Sequence, residues 1–488
     1  MNVTPSRTDC PPDLAIDLAH FASGLDPTIC DPAVVDAAKA NIFDTLACAL
    51  AGSSAKAVPE IVGLVRDWAG APQADLMVLG GRYPAHHVAW ANSVMCHARD
   101  YDDTHDAAIL HAGVSVVPAA LAACQLRGDA SGADMIAGVI AGLEVMCRLG
   151  TATKLDLIES GFIYSSLMGY FGATAAAGRA LALSKAEMAQ AFGIVYSSAA
   201  GNHQVTRDAS LMKRTQPGLA AQAAIVAIQL ARKGIRGAQN VFEGADGFFR
   251  VYLRGEVDGA MVRAGLGEHY EMLNLSYKPY PCCRDTHSAI DAILALRATH
   301  GRDPAEIDFI SVGTTAGGYQ MVCVPEAIRL APKTIVEAQF SIPYTVAAAW
   351  IDGRVGIGHF SDEGMGREDI LALSARVRPY IDEEIERDWS RFVPPAKVTI
   401  HFRDGSFAHG RVDYAKGHPA NPMTQAEFIA KASDCLTFAA EAMPQDTIST
   451  LFEAIDGLEQ AQAVDAVIAA MTGTPCPPGP GRRLPATA

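Results

Sequence analysis

The densest run of chemically capable side chains in this 488-residue chain is Cys96-His97-Ala98-Arg99-Asp100-Tyr101-Asp102-Asp103-Thr104-His105, with His111 shortly after it. Carboxylates, a hydroxyl and imidazoles at this spacing can supply a general base, hydrogen-bond donors and a proton shuttle. The same residues also suit a solvated acidic loop or a divalent-metal site, although no glycine turn or distal glutamate completes a calcium-loop pattern. An apolar run, Val114 to Cys124, follows at once, which tucks the segment against a helix end. A second cluster is His203 with Lys213-Arg214, placed ahead of the helix start that Pro217-Gly218 marks. Two cations at a helix N-terminus are disfavoured by its dipole unless an anion joins them, so this is either a carboxylate site or a solvated basic turn. The third is Tyr277-Lys278-Pro279-Tyr280-Pro281-Cys282-Cys283-Arg284-Asp285-Thr286-His287. Its prolines hold an irregular backbone that presents Lys278 and Arg284 for carboxylates and His287 for proton transfer.

Two metal-like features read as structural. Adjacent cysteines do not easily chelate one zinc or pair in an ordinary disulfide, so Cys282 and Cys283 are assigned to packing. His86 and His87 are expected to point apart on a helix. No nucleophile elbow, phosphate loop, dinucleotide fingerprint or zinc motif occurs, so no cofactor and no metal are called for. What remains is histidine, carboxylate and cation chemistry, which suits proton transfer beside a substrate carboxylate.

The elements that must position these groups are mainly helical up to about residue 269. Asp31-Pro32 is an N-cap followed by proline at the first helical position, and Val35, Ala38, Ile42 and Leu46 then recur at helical period. Further apolar helices are expected over 114–124, 133–149, 169–182 and 219–233, rich in alanine and glycine and therefore closely crossed. Glu144 and Arg148, four apart in one of them, read as a structural ion pair. From 270 to 418 the texture becomes α+β. Strands are expected over Ile307–Val312 and Lys397–Phe402, a hairpin turn at Asp404-Gly405, and helices over 286–298, 337–352 and 366–377. Helical periodicity returns over 419–488 and ends in a Pro/Gly tail from Pro475, which is expected to be disordered. The fold class is thus mainly α: a large all-α helical domain with an inserted smaller α+β lid domain.

Composition narrows the partners. Hydrophobic residues make up 50% and the net charge is −15, which disfavours nucleic acid or an anionic membrane surface. The 11 cysteines form no CxxC pair, the start of the chain is polar, and no apolar run is long enough to span a bilayer; a cytoplasmic protein is expected.

At the clusters above the chain resembles the MmgE/PrpD family, whose activities include 2-methylcitrate dehydration, cis-aconitate decarboxylation and iminodisuccinate epimerisation. The matching stretches are Asp100-Tyr-Asp-Asp-Thr104 with His111, Lys213-Arg214 before Pro217-Gly218, and Lys278 to Arg284 with His287. Ala338 to Tyr344 followed by Ile351-Asp352-Gly353, and Arg403-Asp404-Gly405 leading to Gly417 through Pro422, complete them. Their order holds over roughly 15–470. The resemblance implies a homodimer with a cleft between domains and no required metal or nicotinamide. Carried over by position, Asp100, Thr104, His111, Lys213, His287 and Tyr344 would line that cleft. His111 or His287 would move the proton, Asp100 would orient the histidine, and Thr104 would hydrogen-bond substrate. Lys213, assisted by Lys278 and Arg284, would anchor carboxylates, gathering a local positive well. One departure is visible: Ile163, in Gly161-Phe162-Ile163-Tyr164, stands where many members carry histidine, leaving Tyr164 and His203 as possible replacements. The resulting expectation is a cofactor-independent lyase, dehydratase or decarboxylase, acting on a small di- or tricarboxylate. An epimerase or isomerase on the same scaffold and a catalytically silent binding protein are the alternatives.

Overall fold

Two aspartates start the helical part. Asp13 and Asp31 each accept a first-turn N–H, from Ala15 and Ala33, and so cap α1 (Leu14–Gly24) and α2 (Pro32–Gly52). The structure, a computed structural model, describes residues 13–389 and 393–473. The fold is mainly α. Helices α3 (Ala85–His97), α4 (Gly113–Arg127), α5 (Gly132–Thr151), α6 (Gly169–Ala180) and α7 (Met212–Arg232) join the first two around one apolar core. Small residues let them cross closely, as their composition predicts. A Cβ added to Gly142 on α5 would sit 2.7 Å from the carbonyl oxygen of Gly172 on α6, so only glycine fits there. The Glu144–Arg148 pair is structural: Arg148 donates to Glu144 and to the carbonyls of Val262 and Gly265, pinning an otherwise irregular segment to α5. Its partner Glu144 also accepts the Met272 N–H at 3.0 Å.

A second apolar core is assembled from residues between Cys282 and Ala408. It contains α8 (His287–His300), β1 (Ile307–Thr314), α9 (Ile342–Asp352), β2 (Val377–Ile381), β3 (Ala396–Phe402) and β4 (Phe407–Val412). The sheet order is β2-β1-β3-β4, with β1 and β2 parallel and the other pairs antiparallel. Val398, Ile400 and Phe402 alternate inward as the period-2 pattern predicts. The β3–β4 turn runs through Asp404-Gly405, where Gly405 takes a φ of 84°. The last helix introduced, α10 (Gln425–Thr437), returns to the first core through Ala432 and Cys435.

Three expectations are corrected. The helix assigned to 219–233 begins at Met212, so Lys213 and Arg214 lie within its first turn and Pro217 lies inside it. Proline is tolerated there because the only hydrogen bond lost is the one its N–H would make to the Lys213 carbonyl. The expected 337–352 helix is two helices, Ile335–Gln339 and α9, because Ser341 caps the second through the Tyr344 N–H and Pro343 occupies its first turn. His86 and His87 do not point apart: their ring centroids are 4.0 Å from each other, and His87 packs on Trp68. Contact with that indole outweighs the angular separation of neighbouring helix positions. The Pro/Gly tail lies outside the described residues.

Lys431 on α10 ties the two chain halves together. Its buried ammonium donates to Asp44 on α2 and to the Tyr101 carbonyl, each at 2.6 Å. Replacing Lys431 by methionine strands the Asp44 carboxylate and is expected to cost about 3–5 kcal/mol. Urea unfolding would measure it; a loss below ~1 kcal/mol would mean that water reaches Asp44.

Candidate active site

The loop from Ala98 to Ala112 joins α3 to α4 and carries the densest chemical cluster. Its backbone is held in an unusual course. Asp100 has a positive φ of 54°, which aspartate tolerates better than most residues. Lys213 donates to its Oδ1 at 2.9 Å, while Lys278 donates to the same oxygen at 3.1 Å and to the Asp100 carbonyl at 3.0 Å. Burial alone raises the Asp100 pKa, but the two lysines outweigh it and hold the carboxyl well below its ordinary range. Two residues on, Asp102 accepts from His97 Nδ1 at 2.9 Å, and its carboxylate lies 3.0 Å from His111 Nδ1. The Asp103 carbonyl also lies 2.7 Å from His111 Nδ1. Both oxygens are acceptors, so Nδ1 of His111 carries a proton and Nε2 is the nitrogen left to exchange one. The Asp103 carboxylate caps α4 through the N–H groups of Ala112 and Gly113. Burial, reinforced by neighbouring Asp102, pushes its pKa up to about 6.

The two histidines on Asp102 are not equivalent. Burial pushes His97 down to about 4 against the opposing pull of Asp102, so it is neutral at physiological pH. His111 is the more open: its side chain is 18% exposed against 1% for His97. Asp102 itself stays ionised, since burial raises its pKa but the two imidazoles lower it further.

These groups open onto a cavity of about 380 Å³ between the two apolar cores, a size that suits a small organic acid. Of the residues singled out from the sequence, Asp100, Thr104, His111, His203, Lys213, Lys278 and Arg284 line it. Four others are not part of the lining. Tyr164 donates its hydroxyl to the Leu155 carbonyl at 2.7 Å. Arg214 is buried against Gln339 Oε1 at 3.2 Å. His287 is fully buried between Arg284 Nη1, at 3.2 Å, and the Cys282 carbonyl, at 3.3 Å. Tyr344 donates to the carbonyls of His359 and Gly364 inside the second core. Burial and then Arg284 push His287 well below its ordinary pKa, so it is neutral and away from the cavity.

Arg284 reaches the cavity wall, but its donors are engaged by Asp106, the Lys416 carbonyl and the Ala415 carbonyl. Free cationic capacity therefore rests on Lys213 and Lys278. His203 lines the cavity with Nδ1 buried and without a hydrogen-bond partner among the described residues, and burial lowers its pKa. His97, Asp102 and Asp285 belong to the site although sequence reasoning did not select them. Their signal was present, two charged neighbours of selected residues and a histidine five before Asp102, but which way each side chain turned was not. His97, Asp100, Asp102 and His111 bring ligand-type atoms within 4.8 Å of one another. His97 Nδ1 is already taken by Asp102 and His111 Nδ1 by the Asp103 carbonyl, and a cation at Asp100 would displace two ammonium groups. The donor set suits a hydrogen-bond relay better than a cation cage.

A scan against family models matches the MmgE/PrpD N-terminal domain over residues 16–259 and the MmgE/PrpD C-terminal domain over 280–456. The chain belongs to the MmgE/PrpD family. Among similar proteins, a cis-aconitate decarboxylase of Aspergillus terreus is 25% identical over 93% of this chain and 94% of its own length. The cis-aconitate decarboxylase of Homo sapiens is 26% identical over 83% of each chain, and that of Mus musculus is 25% identical over 78% of this chain and 77% of its own. The two family models abut at the stretch 260–279, which leads from the first core into the second and delivers Lys278 to Asp100. Ile163, the departure from the family pattern noted in the sequence, lines the cavity as an apolar side chain. No helix among the described residues is long and apolar enough to cross a membrane.

Proposed function

We propose that this MmgE/PrpD protein is a lyase acting on a small di- or tricarboxylate without a cofactor, with His111 as its proton carrier. The observation that carries this reading is His111 itself: Nδ1 is held between Asp102 and the Asp103 carbonyl, and Lys213 and Lys278 stand at the same cavity. Ionised Asp102 stabilises the imidazolium formed when Nε2 takes a proton, as a carboxylate does for histidine bases in general. The lysines bind substrate carboxylates and stabilise the charge that develops beside them. Thr104, which lines the same cavity, would hydrogen-bond the bound acid.

Decarboxylation is the reaction we favour. The similar proteins bear the name cis-aconitate decarboxylase, and Ile163 removes one histidine from the cavity. In this step a carbon–carbon bond breaks and CO₂ leaves. The bond's electron pair moves to the carbon next to a remaining carboxylate, and a proton that His111 Nε2 has first taken up from solvent is passed to that carbon to form the new C–H bond. Only one proton transfer to carbon is required, whereas elimination of water needs both a base and an acid for the leaving hydroxyl. The test is incubation with cis-aconitate and with 2-methylcitrate, following CO₂ release and unsaturated product. CO₂ release from a polycarboxylate is expected. Water loss without CO₂ would shift the reading to a dehydratase, and binding without any turnover would make the protein a silent binder.

A further inference from the structure

Charge at the cavity poses a problem for a polyanionic ligand. Two lysines share one aspartate, so Lys213, Lys278 and Asp100 leave a single positive charge, and Arg284 is matched by Asp106. Most acids at the wall are committed. Asp106 also accepts from Ser276, Glu386 accepts the Ala316 N–H, and Asp156 accepts the Glu159 N–H. Asp285 is different. It lines the cavity beside Arg284, is half-buried, and its carboxylate has no hydrogen bond or ion pair among the described residues. Ionised, it would offset the single positive charge left by Lys213, Lys278 and Asp100, add to the negative charge of Asp156 and Glu386 on the same wall, and repel a carboxylate brought against it.

We propose that Asp285 binds one carboxylate of the substrate as a neutral carboxyl group, donating its proton in a hydrogen bond, so that polycarboxylate binding takes up a proton. The inference rests on the polycarboxylate reading above and names how that site meets its ligand. An unpartnered donor is what a carboxylate oxygen needs, and an acid–carboxylate hydrogen bond is short and strong because one partner is charged. The surroundings favour the neutral form. Burial and then Asp106 push the Asp285 pKa up to about 6, while Arg284 and Lys278 oppose them. Cys283 and Cys323 also face it, and burial keeps both thiols protonated. An arriving carboxylate adds a further negative charge and drives proton uptake further. The sign follows: affinity is highest where Asp285 is already protonated and falls as pH rises above about 6, by up to ~10-fold per pH unit while one proton is linked.

Calorimetric titration with tricarballylate, in buffers of differing ionisation enthalpy between pH 7 and 9, reads this directly. The wild type is expected to take up close to one extra proton relative to Asp285→Asn. The asparagine variant keeps a donor without a charge, so its affinity should lose most of the pH slope and exceed the wild-type affinity by ~10-fold or more at pH 8. Asp285→Glu, which keeps the titrating group, should restore the uptake, and Asp285→Ser serves if the asparagine variant does not fold. Equal proton uptake in wild type and Asp285→Asn, or an unchanged pH slope, overturns the proposal while leaving the polycarboxylate site standing. Failure of the wild type to bind tricarballylate at all would overturn both. Binding without turnover would count against the lyase reading only.

Discussion

Substituting His111 by alanine is expected to lower kcat by about 10²–10⁴ while changing KM little, because the group lost moves a proton and does not hold substrate charge. The geometry makes this effect specific to one imidazole. His97 shares the same aspartate but is nearly fully buried and neutral, and His287 is enclosed by Arg284 and the Cys282 carbonyl. The companion variant is Asp102→Asn, which removes the negative charge that both Nδ1 atoms approach to about 3 Å. It should lower kcat almost as far, with the fold retained. Deuterium incorporation from solvent into product separates the steps, since His111→Ala should lose it in parallel with turnover. A His111→Ala enzyme with wild-type kcat would remove this residue from the chemistry and bring His203 forward.

Lys278→Met is expected to lower stability by several kcal/mol, because it removes one of two ammonium groups from a buried carboxylate. Asp100 is 3% exposed, its backbone has a positive φ, and Lys278 binds both its side chain and its carbonyl. Breaking a buried pair by deleting one partner costs about 3–5 kcal/mol. The pH dependence has a definite sign. The native Asp100 pKa is depressed, by Lys213 and Lys278 against opposing burial, so its contribution is present above the unfolded carboxylate range and is lost as pH falls through the native value. The variant, with less depression, should therefore differ most from wild type near pH 7 and converge with it in acid. Urea melts at pH 7 and pH 3 measure the gap. A gap that is equal at both pH values would show that lost packing, not the ion pair, accounts for it.

Much of the fold was legible because it depends on local pattern. The N-cap at Asp31, the alternation of Val398, Ile400 and Phe402, and the Asp404-Gly405 turn each reflect interactions among near neighbours in the chain. The helix starts were less legible. Pro217 reads locally as a beginning, yet α7 starts at Met212, because packing of its earlier turn outweighs the single hydrogen bond proline forfeits.

The candidate site divides in the same way. Residue types and spacing alone marked out a histidine–carboxylate loop, an adjacent Lys213-Arg214 pair and a turn bearing Lys278 and Arg284, and the net charge of −15 set the expectation against a polyanionic macromolecular partner. The partners were decided only by the tertiary structure. The family resemblance pointed to Asp100 as the orienter of the histidine, whereas the fold gives that place to Asp102 and gives Asp100 to two lysines, one 113 and the other 178 residues away. The same holds for Arg284, which reads as a substrate anchor but is spent on Asp106 and two backbone carbonyls. The physical reason is that buried charge must be matched by opposite charge or hydrogen bonds. Which groups perform that matching depends on which segments the two cores bring together, and no periodicity in the chain records it.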